Sequence, residues 1–554
     1  MPLDALVTGR IATLADGASD GFGWVEAIGI RDGHIAFAGS EVYIETRADP
    51  LTERIALEPD QVAMPGLTDA HLHLAEAGIA ARHVDLHGTG SLEDGMARIG
   101  AAHARLTNAD AWLEGFGWDV DQWGHWPAAG DLERVAPGRR VALWAHDHHG
   151  LLVSHAALQT AGLDATTPDP SGGVIRRADD GAPTGVLLEA AARLVTVHIP
   201  LDSQTDVEAG IVAAARELVS LGVVACHDPG GVTPDPDLTR SFPAYASLTE
   251  AGRLPIRVHV SIRDDALGTA RARGVRSGQL IGNNPGSKAR MGWLKLFADG
   301  ALTSRTAALL EDYEEEPGRP LPEDRRRGVW MTEPAQLEEL VRRAAGAGIH
   351  AQIHAIGDAA VRAALDVLEG VGNPGGGFGM MPRIEHAQMI APGDGPRFAN
   401  AGIAASVQPV HLRTDAPGAL RAWGERAERE AFAWSELVAT GAIIAFGTDA
   451  PVEPFDPWPG IAIAVARRDA SWGSDAGAFG PGEAFTLVRA LRAACVDPAV
   501  SAGEAYRGRL TLGQRADAVV LPGAALDEPV EPGGALASAR PDMVVIDGKV
   551  VFER

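Results

Sequence analysis

Short apolar runs alternate with longer amphipathic stretches through the centre of the chain, from residue 61 to about 490. The runs end at Gly, Pro or a polar side chain, as buried parallel strands do. Between them, alanine-rich stretches such as 205–220, 335–346 and 359–370 have the apolar spacing of helices. Eight strands alternating with helices predict an α/β fold, the parallel (β/α)8 TIM barrel. The predicted strands are 61–70, 222–228, 255–261, 291–299, 348–354, 382–386, 402–409 and 442–449.

The two ends of the chain have a different pattern. Residues 1–60 and 505–554 contain short β-like runs separated by turns, with Asp-Gly hairpin signals at 32–33 and 547–548. Either end alone supplies too few strands to bury a face. We therefore expect 1–60 and 505–554 to form one composite β-sandwich, and 61–504 to form the barrel domain.

A stretch from about 75 to 204 separates the first two predicted strands and is too long for one barrel connection. We expect an inserted lid or subdomain there. Its tryptophans can form its own small core, which we favour, or they can cap the barrel with Phe116 and contact an apolar or aromatic substituent of a substrate. They are Trp112, Trp118, Trp123, Trp126 and Trp144.

Composition and charge exclude several classes of protein. The chain has 554 residues, of which 46% are hydrophobic and 22% charged, as in a globular enzyme. Its net charge of −26 disfavours nucleic acid and anionic membranes as partners. Two cysteines cannot form a disulfide framework, the N-terminal residues argue against a signal peptide, and no apolar run nears ~18 residues. We expect a cytoplasmic protein that acts on a small molecule, with a homodimer left open.

The first candidate cluster follows the first predicted strand, in the sequence MPGLTDAHLH. His71 and His73 are two residues apart, so on an extended segment both imidazoles point to one side and can bind one metal ion together. A lone His-x-His also occurs as two polar residues at a strand end. Its position at the carboxyl end of a predicted barrel strand favours the metal-binding interpretation.

Lysine is rare in this chain and occurs only at Lys288, Lys295 and Lys549. Lys295 lies in the apolar run WLKLFADG, where burial is expected to lower its pKa. The neutral amine can act as a nucleophile or be carboxylated by carbon dioxide, and a carboxylated lysine can bridge two cations. Arginine, which stays protonated, can do neither. The alternative, a lysine that extends to solvent, is disfavoured because the chain otherwise uses arginine.

Three further candidates end predicted strands. His354 ends the strand in HAQIHAIGD, His386 ends RIEHAQ, and Asp449 ends AIIAFGTDAP. An aspartate at this place can bind a metal, accept a proton from water, or cap the next helix. All of these side chains are predicted at the end of the barrel where catalytic residues lie.

The six candidates and the surrounding motifs resemble the amidohydrolase superfamily, and within it the amidohydrolase 3 (YtcJ-like) family. The resemblance spans residues 64 to 521. Asp147-His148-His149 departs from the Asp-Gly-His that is more frequent in that family, which leaves the role of His148 open. The motifs are MPGLTDAHLH, GFGWD, VSHAAL, PTGVLLE, KLFADGALTSRTAAL, HAIGD, IEHAQ, SVQPVH, FGTDAPVEPFDP and ADAVVL.

The resemblance implies a metal-dependent hydrolase of carbon–nitrogen bonds other than peptide bonds. It implies that His71, His73 and Asp449 hold one divalent ion, that His354 and His386 hold a second, and that carboxylated Lys295 bridges them. Zinc suits these donors, although manganese, iron or cobalt also fit. Asp449 would be the catalytic proton acceptor. The candidates for substrate contacts are His149, Arg305 and Gln408.

The specific substrate stays open at this point. Members of the branch include N-substituted formamide deformylases, but amides, cyclic imides and carbamates are equally compatible with the sequence. A mononuclear deaminase of the same superfamily is an alternative, which counting the metal ions per chain would distinguish. A non-catalytic scaffold is another, although all six candidate ligands are present.

Overall fold

The N-terminal segment forms strands joined by short turns. The computed structural model describes residues 3–554 except 81–82, 107, 109, 201, 232–234, 317–320, 373–378 and 474. The hairpin predicted at 32–33 is present, with φ of 51° at Asp32 and 71° at Gly33, both in the left-handed region that such a turn needs. The elements are β1 (Ala5–Ala12), β2 (Trp24–Arg31), β3 (His34–Gly39), α1 (Glu41–Glu45), β4 (Glu53–Ala56) and β5 (Gln61–Pro65).

The first barrel strand is shorter than predicted. The run 61–70 is divided at Gly66 into β5, which pairs with β1, and β6 (Leu67–Asp69), which begins the barrel. Glycine is required at the division, because a Cβ on Gly66 would lie 2.5 Å from Val224. An apolar run shows that a segment is buried but not in which sheet, so the prediction of one strand was wrong here. The helix α2 (Leu74–Ala80) follows.

The insertion has a sheet of its own, in the order β11-β12-β10-β9-β8-β7. Trp118 and Trp123 belong to its core, Trp126 packs against them, and Trp112 lies in a neighbouring apolar cluster against which Trp144 packs. The elements are β7 (Val84–Asp85), α3 (Leu92–Arg105), β8 (Leu113–Trp118), α4 (Val120–Trp123), α5 (Ala129–Val135), β9 (Val141–Ala145), β10 (Gly150–Val153), α6 (His155–Thr160), β11 (Gly173–Arg177), β12 (Pro183–Glu189) and α7 (Arg193–Thr196).

The predicted parallel barrel is confirmed. Its strands are paired in the order β19-β18-β17-β16-β15-β14-β13-β6, and the Ala70 amide donates to the Phe446 carbonyl at 2.8 Å where the two ends meet. After the insertion come α8 (Gln204–Ser220), β13 (Val223–Asp228), α9 (Ser241–Glu250), β14 (Arg257–Arg263), α10 (Leu267–Ala272), β15 (Ala289–Phe297), α11 (Pro334–Ala345), β16 (Ala351–Ala355), α12 (Asp358–Val371), β17 (Arg383–His386), α13 (Gly395–Ala401), β18 (Ala404–Val407), α14 (Leu412–Trp423), α15 (Glu425–Glu430), α16 (Trp434–Ala439), β19 (Ile444–Phe446), α17 (Pro457–Ala466) and α18 (Leu487–Ser501).

The last segment completes a sheet that the N-terminal segment begins. It contributes β20 (Ala518–Pro522), α19 (Ala524–Asp527), β21 (Met543–Ile546) and β22 (Lys549–Glu553). The strands form one continuous sheet in the order β22-β21-β20-β5-β1-β2-β3, with β4 beside β1. The two ends of the chain thus pair into one sheet, and strands from both ends share an apolar cluster that includes Ile30 and Val520. In the described part of the chain, no helix has the length and apolar character needed to cross a lipid bilayer.

Candidate active site

A cavity of about 340 Å³ lies between the insertion and the carboxyl ends of the barrel strands. This is the end of a TIM barrel at which active sites are built. Seven of the nine residues predicted from the sequence line it together. They are His71, His73, His149, Lys295, His354, His386 and Asp449.

His71, His73 and Asp449 form a compact group of possible metal donors. The Nε2 atoms of His71 and His73 lie 3.3 and 3.5 Å from Asp449 Oδ1. The Nδ1 atom of His71 donates to Glu385, and that of His73 donates to the Gly230 carbonyl at 2.8 Å. These bonds fix the protonated nitrogen of each ring and leave Nε2 as the donor that faces Asp449.

The backbone around Asp449 explains why the two segments meet. The Asp449 amide donates to the His71 carbonyl at 2.7 Å, and Asp449 has a left-handed φ of 63°. Asp69 accepts from the Thr448 hydroxyl at 2.6 Å and thereby ties β6 to the loop after β19. Gly447 is required in this loop, because a Cβ there would lie 2.5 Å from the His71 nitrogen.

A second group of donors shares Asp449. Its members are His386, His411 and Asp449, with ligand atoms within 4.8 Å of one another. His411 Nε2 lies 3.6 Å from Asp449 Oδ2, and His386 Nδ1 donates to Gln408 at 2.8 Å. The ring of His354, predicted as the partner of His386, lies 4.6 Å from it between centroids. Asp449 is therefore adjacent to both halves of the site.

Lys295 lies in β15 with only 1% of its surface exposed. Burial lowers its pKa to about 8, although the charges of Glu385 and Asp449 act in the opposite direction. Its Nζ lies 4.7 Å from the centre of the Phe297 ring. A substantial fraction of the amine is therefore neutral near pH 8, as nucleophilic attack on carbon dioxide requires.

A buried ion pair lies beneath His71. Arg383 Nε donates to Glu385 Oε1 at 2.8 Å, while Glu385 Oε2 accepts from His71. Burial raises the pKa of Glu385, but the charges of Arg383, His71 and Lys295 and the hydrogen bond from His71 together lower it to about 2. Burial and the charge of Lys295 lower the pKa of His71 to about 4. His71 is therefore neutral at pH 7, the state in which imidazole binds a metal.

The remaining predicted residues occupy different places. His149 lines the cavity and donates to Glu189 at 2.7 Å, and Glu189 also accepts from the Thr306 hydroxyl at 2.6 Å. Arg305 and Gln408 are not among the lining residues. Arg305 interacts with Glu314 and Glu316, and Gln408 reaches the site only through its bond to His386.

Three residues of the site are absent from the sequence candidates: His411, Glu385 and Glu189. Each ends or adjoins a motif named above, since SVQPVH ends in His411, IEHAQ contains Glu385, and PTGVLLE ends in Glu189. A polar residue at the end of an apolar run is the signal that could have found Glu189, whereas Glu385 lies within a charged run and His411 lies four residues beyond the end of β18.

Comparison with known proteins agrees with this geometry. The sequence profile of the Amidohydrolase family matches residues 60–552. The chain belongs to this family. YtcJ of Bacillus subtilis (strain 168) is 31% identical to it over 536 residues, which cover 96% of each chain.

Two further proteins that are similar to this chain extend the comparison. The N-substituted formamide deformylase of Arthrobacter pascens is 27% identical over 552 residues, 96% of this chain and 95% of the relative. The crystal structure of an uncharacterized metal-dependent hydrolase from Pyrococcus horikoshii OT3 is similar, with a TM-score of 0.72 and 25% identity. The alignment covers 94% of this chain and 97% of the Pyrococcus chain. Together with the imidazole and carboxylate donors, this makes the chain a hydrolase with a site for a divalent metal.

Proposed function

We propose that the protein hydrolyses an amide-type carbon–nitrogen bond of a small molecule and that Asp449 is its proton acceptor. The observation that carries the proposal is the position of Asp449 between the two donor groups. Its Oδ1 lies beside His71 and His73, and its Oδ2 lies beside His411. The family and the cavity above the barrel support the same activity.

The donor set fits zinc. His71, His73 and Asp449 would hold one ion and His354 and His386 a second, and carboxylated Lys295 would supply a further oxygen ligand. When bound, the metal lowers the pKa of water toward ~7 and polarises the carbonyl oxygen of the substrate. The neutral state of His71 suits this role, because only the unprotonated imidazole nitrogen can be a ligand.

The protein's own groups then move protons and hold the substrate. Asp449 accepts a proton from the attacking water and returns it to the leaving nitrogen, so that water and amide become a carboxylic acid and an amine. His149 faces the cavity, and its pKa is raised to about 9 because the charge and hydrogen bond of Glu189 outweigh the effect of burial. The imidazolium supplies a hydrogen-bond donor for the carbonyl oxygen of the substrate.

The relatives suggest where a substrate search should begin. The name of the Arthrobacter pascens relative states that it acts on N-substituted formamides. We propose the same substrate class as the first candidate for this chain, followed by other amides, cyclic imides and carbamates. All of them present a planar carbonyl group bonded to nitrogen.

The test is turnover of such a library by the purified protein, by the chelator-treated protein, and by the same sample after zinc is restored. We expect hydrolysis to be lost with the metal and recovered with zinc. Asp449→Asn should be inactive, while Asp110→Asn, which changes an aspartate whose side chain is 96% exposed, should be unaffected. Unchanged hydrolysis after complete removal of the metal would contradict the proposal.

A further inference from the structure

Left-handed backbone is concentrated at the cavity. Four of the lining residues other than glycine have positive φ: 53° at Glu189, 68° at His386, 63° at Asp449 and 57° at His148. This conformation costs energy for any residue with a Cβ and is most often retained where it orients a functional side chain. The first three orient groups already described. His148 is the one of the four without a role.

The turn that contains His148 does not require a histidine. It joins β9 to β10, and the His148 amide donates to the Ala145 carbonyl at 3.0 Å, which places His148 directly after a tight turn. A left-handed residue at this point of a hairpin loop is usually glycine. Glycine would adopt the same conformation without strain. The imidazole, not the backbone, is therefore the feature that needs an explanation.

The neighbouring histidines of the turn have carboxylate partners. His149 donates to Glu189 at 2.7 Å, and His146 Nε2 lies 3.4 Å from Glu453 Oε1. His148 Nε2, in contrast, is enclosed and makes no hydrogen bond within the part of the chain that the structure describes. The ring is thus held by something other than a polar partner.

Aromatic side chains hold the His148 ring. It stacks on Trp144, with ring centroids 5.9 Å apart and planes at 5°, and Phe116 approaches it at 6.5 Å. Burial, assisted by the charge of His73, lowers the pKa of His148 to about 3, so the ring carries no charge at pH 7. Trp144 and His148 both line the cavity and form a flat, uncharged part of its wall.

We propose that Trp144 and His148 form a subsite for a flat conjugated or aromatic group attached to the carbonyl or nitrogen of the substrate. Stacked aromatic walls favour planar groups over saturated rings of similar size, because aromatic contacts add to the effect of apolar burial. As part of a catalytic site the subsite rests on the proposed function. Its existence is tested by binding, which needs no hydrolysis.

The experiment compares benzamide with cyclohexanecarboxamide, which share a carboxamide but differ in the planarity of the ring. Binding of each to the metal-loaded protein is measured by calorimetry, and product analysis records any cleavage. We expect the wild type to bind benzamide about fivefold more tightly. In His148→Gly and in Trp144→Leu the preference should fall below about twofold, with little change in the affinity for cyclohexanecarboxamide.

Two further variants distinguish the effect of the His148 ring from the effect of its backbone conformation and from general damage to the protein. His148→Asn tolerates left-handed φ but lacks the aromatic ring, so it should behave as His148→Gly does. Asp32→Gly is the control: it also replaces a residue with positive φ, 51°, by glycine, but in the hairpin between β2 and β3. It should leave the preference for benzamide intact. Metal content, measured on every sample, should not change.

Several results would overturn the proposal. One is that the wild type binds neither probe, or binds both with equal affinity. Another is that the preference for benzamide survives in His148→Gly, or that the variants lose affinity for both probes equally. A third is that the His148 variants lose metal. Absence of cleavage by any sample would count against the proposed function alone, because the binding preference is measured without it.

Discussion

Two histidine–glutamate pairs, one in the barrel and one in the insertion, each place a histidine in the same cavity, but the two histidines differ in charge. In the barrel, His71 donates to Glu385, and its pKa is lowered to about 4 by burial and by the charge of Lys295. In the insertion, His149 donates to Glu189, and its pKa is raised to about 9 by that carboxylate against the effect of burial. At pH 7 the first imidazole is neutral and the second is cationic.

The difference comes from what surrounds the carboxylate. Arg383 lies against Glu385, so the negative charge of that carboxylate is balanced before His71 is counted. Glu189 has the neutral Thr306 hydroxyl as its other hydrogen-bond partner, and the charges of Asp147 and Asp299 add to its effect on His149. One kind of hydrogen-bonded pair thus leaves a neutral imidazole in the barrel, which suits the proposed metal ligand, and a cationic imidazole in the insertion, which suits the proposed hydrogen-bond donor. We expect chemistry to depend on the barrel side and substrate binding on the insertion side.

The largest effect should come from Asp449, on the barrel side. Asp449→Asn removes the proposed proton acceptor and one proposed ligand, and we expect kcat to fall by about 10³-fold or more. His149→Asn, on the insertion side, should lower kcat by a smaller factor and should also raise KM. Steady-state kinetics with one substrate from the library compares them. Equal losses in both variants would remove the distinction between the two sides.

The next effect concerns Lys295. If it is carboxylated, Lys295→Arg should be as damaging as Lys295→Ala, about 10²-fold or more in kcat, because neither side chain can form a carbamate. Added short carboxylates with excess metal should restore part of the activity of Lys295→Ala only. Metal analysis should give two ions per chain in the wild type. One ion per chain, with an unmodified lysine in electron density, would support a mononuclear site instead.

The two glutamates allow a matched comparison. Glu385→Gln should weaken metal binding about 10- to 100-fold, because a carboxylate behind a ligating histidine orients the ring and raises its basicity. Glu189→Gln makes the same chemical change on the insertion side and should leave metal affinity within about twofold. Titration with zinc in a competing chelator measures both. A similar loss in the two variants would place His149 among the ligands.

The smallest expected effect is the pH dependence of the free energy of unfolding that the His149–Glu189 pair causes. The pKa of His149 is raised from about 6.5 in the unfolded chain to about 9, so the pair stabilises the fold fully below pH 6.5 and loses this contribution as the pH rises through 9. We expect the wild type to lose about 3 kcal/mol relative to Glu189→Gln between pH 6 and pH 10. Urea unfolding at both pH values measures it. A constant difference would mean that His149 is neutral throughout.

The fold was largely predictable because strand ends and helical spacing are local features of the sequence. The barrel strands and the sheet formed by both ends follow from apolar runs and Asp-Gly turns. The prediction of a single strand at 61–70 was wrong. The division of this run at Gly66 depends on Val224 and on β20, which lie far away in the sequence.

The site was predictable where a residue lies at or just beyond the end of a strand, as for His71, His354 and His386, which the fold brings to one cavity. The direction of a side chain in a loop was not predictable. Arg305 has a left-handed φ of 56° and interacts with Glu314, and nothing local in its sequence encodes that choice. His411 follows a strand by four residues and reaches Asp449 only because the chain turns at Pro409.

The continuous sheet built from both ends has a consequence for synthesis on the ribosome. Strand β5 needs β20 on one side, yet roughly 450 residues separate them, which at about 5–20 residues per second takes about 20–90 seconds to translate. During that time the hydrogen-bonding edge of β5 stays open while the barrel emerges. Protection of this nascent edge, by a chaperone or by transient pairing, is therefore a requirement for efficient production of the protein.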